Sequence, residues 1–394
     1  MPTPGRQYVQ QLPHVPALDG LRGVAVLLVV LNHTPALLHP GSDKLTTVAG
    51  FGWLNSVAQG GFLGVDIFFV LSGFLITSLL LGHVARTGTI GFRRFYRRRA
   101  ARLLPALIAL LAAHFVYSCF ATYPASGVFA ARHAIPLRQE LNTIGAALAY
   151  VLNYVVAAHP NSIAVADFGH LWSLSVEEQF YLVWPVVLAL VIRWRTDMVP
   201  RVIYAGIFLV VANRLLLSSN PRLDLYVRTD TRADALLIGA LLAWAWTHGK
   251  IPKLPIAAPW CATAVIIVFI ATSQKTSTRL FSGGFTLFAG AVAILIFAII
   301  DTGWGTPLRT RPIRAVGRVS YGLYLWHVPI FIAIARADLP RDPTARVACG
   351  YALSALATIL SWILIEQRAL AGRTPRTPAQ IAPTQRRTLS GDYV

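Results

Sequence analysis

Acidic side chains are scarce in this sequence: 16 Asp and Glu among 394 residues, against 35 Lys and Arg. The four charged types together make up only 13%. That is too little charge to cover a water-soluble fold, so the two or three soluble domains that length alone would suggest are excluded. Cysteine is nearly absent. Cys119, Cys261 and Cys349 are odd in number, far apart and set in or beside apolar runs, without paired or metal-ligand spacing. They read as small apolar residues and exclude a disulfide framework. No cleavable leader is expected either, because the first apolar run follows Arg22 and has no small-residue exit. It reads as a retained span. Internal repeats, low-complexity tracts and a second soluble domain are likewise not apparent.

What the chain has is apolar length. Hydrophobic residues make up 55%, in runs such as 24–31, 67–81 and 287–300 that suit a bilayer. The fold expected is all-α, a polytopic membrane bundle of about ten transmembrane helices. The candidate spans are roughly 20–38, 62–82, 102–120, 171–192, 202–218, 233–247, 257–272, 283–300, 318–335 and 347–366. The formal net charge of +19 would suit nucleic-acid binding, but the basic residues sit in short links between apolar runs, where topology determinants belong. No nucleic-acid partner is expected. Arg outnumbers Lys and Ala is abundant, as in a high-GC host genome.

Loop charge sets the orientation. The link after the second span carries Arg86, Arg93, Arg94, Arg97, Arg98, Arg99 and Arg102 and no acid, which places it in the cytoplasm by the positive-inside rule. The run 142–158 is ambiguous. If it crossed, the cluster from Arg309 to Arg318 and the basic tail would face outward; if it lies on or dips into the membrane, both stay inside with both termini cytoplasmic. The second arrangement fits the charges better and makes 121–169 one long outer excursion. The chain then divides into a cytoplasmic N-terminal segment 1–17, a transmembrane unit 18–370 and a disordered, basic cytoplasmic tail 371–394 rich in Pro, Thr and Arg.

Several ionisable residues fall inside the apolar spans, where charge is costly and a functional role is the default. In the first span Arg22 and His33 are eleven residues apart, almost three full turns, so they share a face about 16 Å apart along the axis. Arg22 lies near the inner surface and His33 near mid-bilayer; a His satisfied inside the bundle with a snorkelling Arg is the bland alternative. At the fourth span His170, Ser173 and Glu177 form one stripe at i, i+3 and i+7, with Glu178 about 100° away. Either carboxylate could instead pair with a cation to fix packing. His327 in the ninth span, two residues before Pro329, lines a cavity or simply packs. Asp66, Arg232 and Asp234, toward the outer ends of spans, either bind a polar acceptor or pair with one another. The Arg-rich link is either a topology signal that also contacts anionic lipid or a patch whose guanidinium forks hold phosphate.

These stretches, in order, are Arg22 with His33, Gly64-Val65-Asp66-Ile67-Phe68-Phe69-Val70-Leu71-Ser72-Gly73-Phe74-Leu75, the Arg-rich link ending at Pro105, Trp172-Ser173-Leu174-Ser175-Val176-Glu177-Glu178-Gln179-Phe180-Tyr181-Leu182 and Tyr321-Gly322-Leu323-Tyr324-Leu325-Trp326-His327. Together they resemble the acyltransferase-3 family of integral membrane O-acyltransferases, over a match from Leu18 to about Ile365. Little follows Leu370, where some members carry an appended extracytoplasmic hydrolase-like domain, and Glu366-Gln367-Arg368 stands where members often continue with Lys-Pro.

The resemblance implies a bacterial inner-membrane enzyme that moves an acyl group, acetyl or another short one, from acyl-CoA to a hydroxyl of a carbohydrate, glycolipid or macrolide-type acceptor. It implies acyl-CoA as donor substrate and no permanently bound cofactor or metal. It marks His33 as essential and ties Arg22 and the Arg-rich link to the donor. Combined with the spacing above, the expected roles are His33 as general base or acyl carrier and Glu177 as the carboxylate that orients it. Arg22, Arg98, Arg99 and Arg102 are expected on the donor. Asp66, His170, Ser173, Glu178, Arg232, Asp234 and His327 are expected on the acceptor. The rival class is a proton-coupled transporter or flippase without acyl-transfer chemistry; the missing inverted repeat speaks against it.

Overall fold

The structure is a computed structural model that describes residues 12–38, 52–120, 137–159, 167–218, 223–338 and 340–371. The expectations for most of the N-terminal segment and for the tail beyond residue 371 fall outside the described residues. Among those described, all regular structure is helical. A helix satisfies its own backbone polar groups, the condition for burying apolar segments in lipid.

Among the described residues, seven helices are long and apolar enough to cross a bilayer: Pro16–Leu38, Asn55–Thr87, Phe92–Cys119, Gly169–Trp194, Thr196–Leu217, Leu280–Asp301 and Pro343–Ala369. The pair Arg311–Arg318 and Ser320–Ala337, bent by 72°, makes an eighth if counted as one span. Asp234–Thr247 and Ala258–Thr272 are apolar but shorter. The chain is thus a multi-pass, all-helical membrane protein. The α-helices that build the site are α1 (Pro16–His33), α2 (Gly64–Thr87), α3 (Phe92–Phe120), α4 (Leu137–Leu148), α5 (Leu152–Ala158), α6 (Trp172–Trp194), α7 (Val199–Leu217), α8 (Asp234–Thr247), α9 (Ala258–Thr272), α10 (Phe285–Asp301), α11 (Arg311–Arg318), α12 (Ser320–Ala337) and α13 (Pro343–Ser361).

Two local readings change. The Arg-rich stretch is not a loop: α3 starts at Phe92, so Arg93 through Arg102 occupy its first turns, and Gly88, in the left-handed region at φ 77°, ends α2 just before. Arginine is a good helix former and its long stem projects clear of the backbone, so nothing stops the helix extending beyond the apolar run. The ambiguous run 142–158 breaks at Tyr150, φ 55°, into α4 and α5 of 12 and 7 residues. Neither piece has the length of a span.

Close crossings hold the bundle together. A Cβ placed on Gly73 of α2 would stand 1.9 Å from the Leu236 carbonyl oxygen, and one on Gly239 of α8 2.1 Å from that of Val70. Only glycine permits backbones this near, and the gain is dispersion between whole helix faces, the chief attractive term available in lipid. The same device brings α1 against α11, where Gly317 meets the Asp19 carbonyl and Gly23 that of Ile313. α1 and α2 also pack on each other, Gly64 meeting the Ala25 carbonyl, and α1 meets α12 while α2 meets α6.

Candidate active site

Three histidines from three helices meet in the interior. His33 ends α1, His170 precedes α6 and His327 lies two turns into α12. Ring centroids are 5.1 Å apart for His33 and His327, 5.4 Å for His170 and His327, and 6.5 Å for His33 and His170. His327 is fully buried and His170 nearly so, whereas His33 keeps partial exposure.

The hydrogen bonds assign the tautomers. A carbonyl oxygen only accepts, so His327 Nδ1 donates to Leu323 O at 2.9 Å, which leaves its Nε2 as an acceptor. His33 Nδ1 lies 2.9 Å from Val29 O and 3.2 Å from His327 Nε2, two acceptors, and so carries the proton shared between them. The Nε2 of His33 is then an unprotonated lone pair on the most accessible of the three rings. His170 donates from Nε2 to Leu325 O at 3.3 Å, and its buried Nδ1 has no hydrogen-bond partner. Among the described residues no group of three or more His, Cys, Asp or Glu is arranged to hold a metal ion.

Glu177 does not meet His33, which corrects the expected pairing. α6 runs antiparallel to α1, and His170 is the residue beside His33; seven residues further on, Glu177 lies about 10 Å lower toward Arg22. Its carboxylate accepts from Tyr181 at 2.6 Å and from Ser72 in a short contact. It lines a cavity of about 140 Å³ together with Arg22, Arg99, Arg102, Ser173 and Tyr324. Tyr324 joins this cavity to the histidines: its hydroxyl lies 2.7 Å from Ser173 Oγ and donates to the His170 carbonyl, and its ring sits 5.8 Å from that of His327. Ser173 therefore meets the tyrosine at the wall of that cavity.

Glu178, turned off the stripe, is not free for an acceptor either. It accepts from Arg99, whose guanidinium lies 3.4 Å over the Tyr181 ring. Both side chains are partly buried, and their ion pair ties α3 to α6. Arg22 reaches Ser320 at 3.4 Å, while Arg98 and Arg102 are exposed beside Arg86 and Arg94 in an adjoining cavity.

Asp66, Arg232 and Asp234 take the structural alternative. Arg232 donates to Asp66 at 2.6 Å, both about 1% exposed, and lies 3.5 Å over the Phe285 ring. Asp234 pairs with Arg214 at 3.0 Å and accepts from Thr286 at 2.6 Å. These buried carboxylates, each paired with an arginine, brace α2, α7, α8 and α10. Arg214 went unnoticed in the sequence, though a lone Arg inside an apolar run was signal enough. A second buried group, Asp167 with Arg336 at 2.9 Å and His114 at 3.4 Å from both Asp167 and Glu140, ties the excursion to α3 and α12. Ser72, Tyr181 and Tyr324 are further site residues that spacing did not single out.

Comparison with known proteins agrees with the architecture. The family described as "Acyltransferase domain" matches residues 15–366. The chain is 32% identical over 343 residues to the peptidoglycan O-acetyltransferase OatA of Listeria monocytogenes, covering 80% of this chain and 49% of that protein. It is 30% identical over 344 residues to the O-acetyltransferase OatA of Staphylococcus aureus (strain NCTC 8325 / PS 47), covering 82% and 51%. The chain therefore spans about half the length of the curated relatives it matches. No solved structure matches it significantly. A family match over nearly the whole helical bundle, on the segments that carry His33, Glu177 and His327, leaves one conclusion: this chain belongs to the acyltransferase-3 family of membrane acyltransferases.

Proposed function

We propose that the protein is an acyl-CoA-dependent membrane O-acyltransferase that delivers a short acyl group, acetyl first among them, to a hydroxyl of a cell-envelope glycan or glycolipid. The observation that carries this reading is the Nε2 lone pair of the partly exposed His33, held in that tautomer by His327 and Val29 O in a histidine cluster that Tyr324 links to an arginine-lined cavity. The relatives are named for O-acetylation, and the Listeria protein for peptidoglycan. In this reading the membrane is that of a bacterial cell, both termini are cytoplasmic, and the donor sits on the arginine side.

The chemistry follows from the atoms present. His33 Nε2 takes the proton of the acceptor hydroxyl as that oxygen attacks the thioester carbonyl. The new C–O ester bond forms, the C–S bond breaks, and the proton passes from Nε2 to the departing thiolate of CoA. Throughout, His33 Nδ1–H stays on Val29 O and His327 Nε2, so the ring need not turn. His327 thus takes the orienting part that the sequence had suggested for Glu177. Glu177 instead organises Ser72 and Tyr181 along the donor arm. Arg22, Arg98 and Arg102 supply cationic charge for the donor's phosphates.

The test is transfer from radiolabelled acetyl-CoA by purified protein in nanodiscs, to a glycan acceptor or to water as free acetate. His33→Ala is expected to lose about 10²–10⁴ in rate, and transfer near the wild-type rate would refute the assignment. In sealed proteoliposomes, label movement across the membrane without thioester cleavage would instead mark a transporter.

A further inference from the structure

Three cavities lie on the arginine side, the second and third on different faces of α2 and meeting at Arg86 near its C-terminal end. The cavity holding Glu177 shares Ile76, Arg99 and Arg102 with a second, of about 500 Å³, whose lining adds His83, Arg86, Arg94 and Arg98. That second cavity shares Arg86 with a third, of about 420 Å³, lined by Thr196, Trp244 and His248 between the C-terminal ends of α2, α6 and α8. From the first cavity to the third the chemistry changes from a narrow, mixed-polarity slot to a cluster of guanidinium groups to a flat aromatic pair.

The aromatic pair is built, not incidental. The Trp244 and His248 rings stack with centroids 5.1 Å apart and 29° between planes. His248 Nδ1 donates to Trp244 O at 2.8 Å, which fixes the ring and its tautomer and leaves Nε2 as an acceptor. The Lys250 ammonium lies 4.8 Å from the Trp244 ring centroid and adds positive charge at the same corner. Both rings are only partly buried. A slot, a cationic stretch and an aromatic stack in that order match a thioester arm, its phosphates and its purine.

We propose that the third cavity is a nucleotide seat, in which the purine of an acyl-CoA donor stacks beside Trp244 and His248. Arg86, Arg94 and Arg98 hold the phosphates, and the pantetheine arm runs past Arg99 and Arg102 into the first cavity. This rests on the reading of acyl-CoA as donor, and extends it by assigning the end of that molecule farthest from the reaction. A base stacked on an aromatic platform is recognised by its π-face, and such contacts contribute enough for roughly tenfold in affinity. The phosphate chemistry alone would also suit a lipid headgroup or free phosphate, so the test separates these.

The experiment measures kinetics in nanodiscs with acetyl-CoA and with S-acetylpantetheine, which lacks the nucleotide, using adenosine 3′,5′-bisphosphate and inorganic pyrophosphate as inhibitors. Wild-type protein is expected to prefer acetyl-CoA and to be inhibited competitively by the bisphosphate more strongly than by pyrophosphate. Trp244→Ala and His248→Ala are expected to raise KM for acetyl-CoA about tenfold with kcat held, to raise the inhibition constant of the bisphosphate in parallel and so to shrink the preference over acetylpantetheine. Arg86→Gln, at an exposed position, should raise KM for acetyl-CoA in the same way. Equal inhibition by pyrophosphate and bisphosphate would mean a bare phosphate site and overturn the seat. So would wild-type KM in all three variants. If wild-type protein used neither thioester, the donor reading itself would fail and the inference with it; use of acetyl-CoA with unaltered KM in the variants overturns the inference alone.

Discussion

Replacing His327 by leucine tests the tautomer assignment most sharply. The site has no exposed surface at this residue, and its surroundings include Phe331 and Tyr324, so an apolar side chain is accommodated. What is lost is one of the two acceptors on His33 Nδ1–H. The other, Val29 O at 2.9 Å, remains. A neutral hydrogen bond contributes about 0.5–1.5 kcal/mol net, which corresponds to a factor of about 2–13. His327→Leu should therefore lower kcat by about that factor and leave KM for donor and acceptor alone, far short of the loss of about 10²–10⁴ expected when the base itself is removed in His33→Ala. His327→Gln, whose amide oxygen can accept where Nε2 did, should bring kcat back to within about twofold. The assay is initial rate of acetyl transfer in nanodiscs, normalised to monodisperse protein, with thermal unfolding as the control for folding. Unchanged kcat in the leucine variant would refute the orienting role. A loss as deep as that of His33→Ala would make His327 a reacting group, which is equally incompatible with the argument.

The buried pairs and crossings make further predictions. Arg99→Ala should lower the unfolding temperature clearly, because it strands the Glu178 carboxylate in the interior, whereas the double change Arg99→Met with Glu178→Leu should recover much of the loss; thermal melts in detergent decide it. Asp66→Asn should reduce the yield of folded protein while specific activity per folded molecule stays within about twofold, since the pair with Arg232 braces helices; a selective rise in acceptor KM would restore a binding role. Gly73→Leu should abolish monodisperse protein on size exclusion, because its Cβ would fall 1.9 Å from the Leu236 carbonyl oxygen, while Gly145→Ala, with open space around it, should be tolerated.

Much of the arrangement was legible along the chain because it depends on local spacing. Apolar length determined the helices, and the eleven-residue interval determined that Arg22 and His33 share a stripe of α1. The i, i+3, i+7 interval likewise determined that His170, Ser173 and Glu177 face one way and Glu178 another. The Arg-rich stretch misled only in its secondary structure, since helix propensity there continues beyond the apolar run.

Which side chains meet was decided by the tertiary structure. Spacing on α6 cannot say at what height that helix stands against α1, and a displacement of two turns separates Glu177 from His33 and brings His170 there instead. Nor could spacing reveal that Asp66, Asp234 and Glu178 each have a dedicated arginine on another helix, one of them the overlooked Arg214. The physical reason is that hydropathy and periodicity act within one helix, over a few residues. The height and rotation of each helix are set by packing against the others, through glycine crossings such as Gly73 on Leu236 and Gly317 on Asp19.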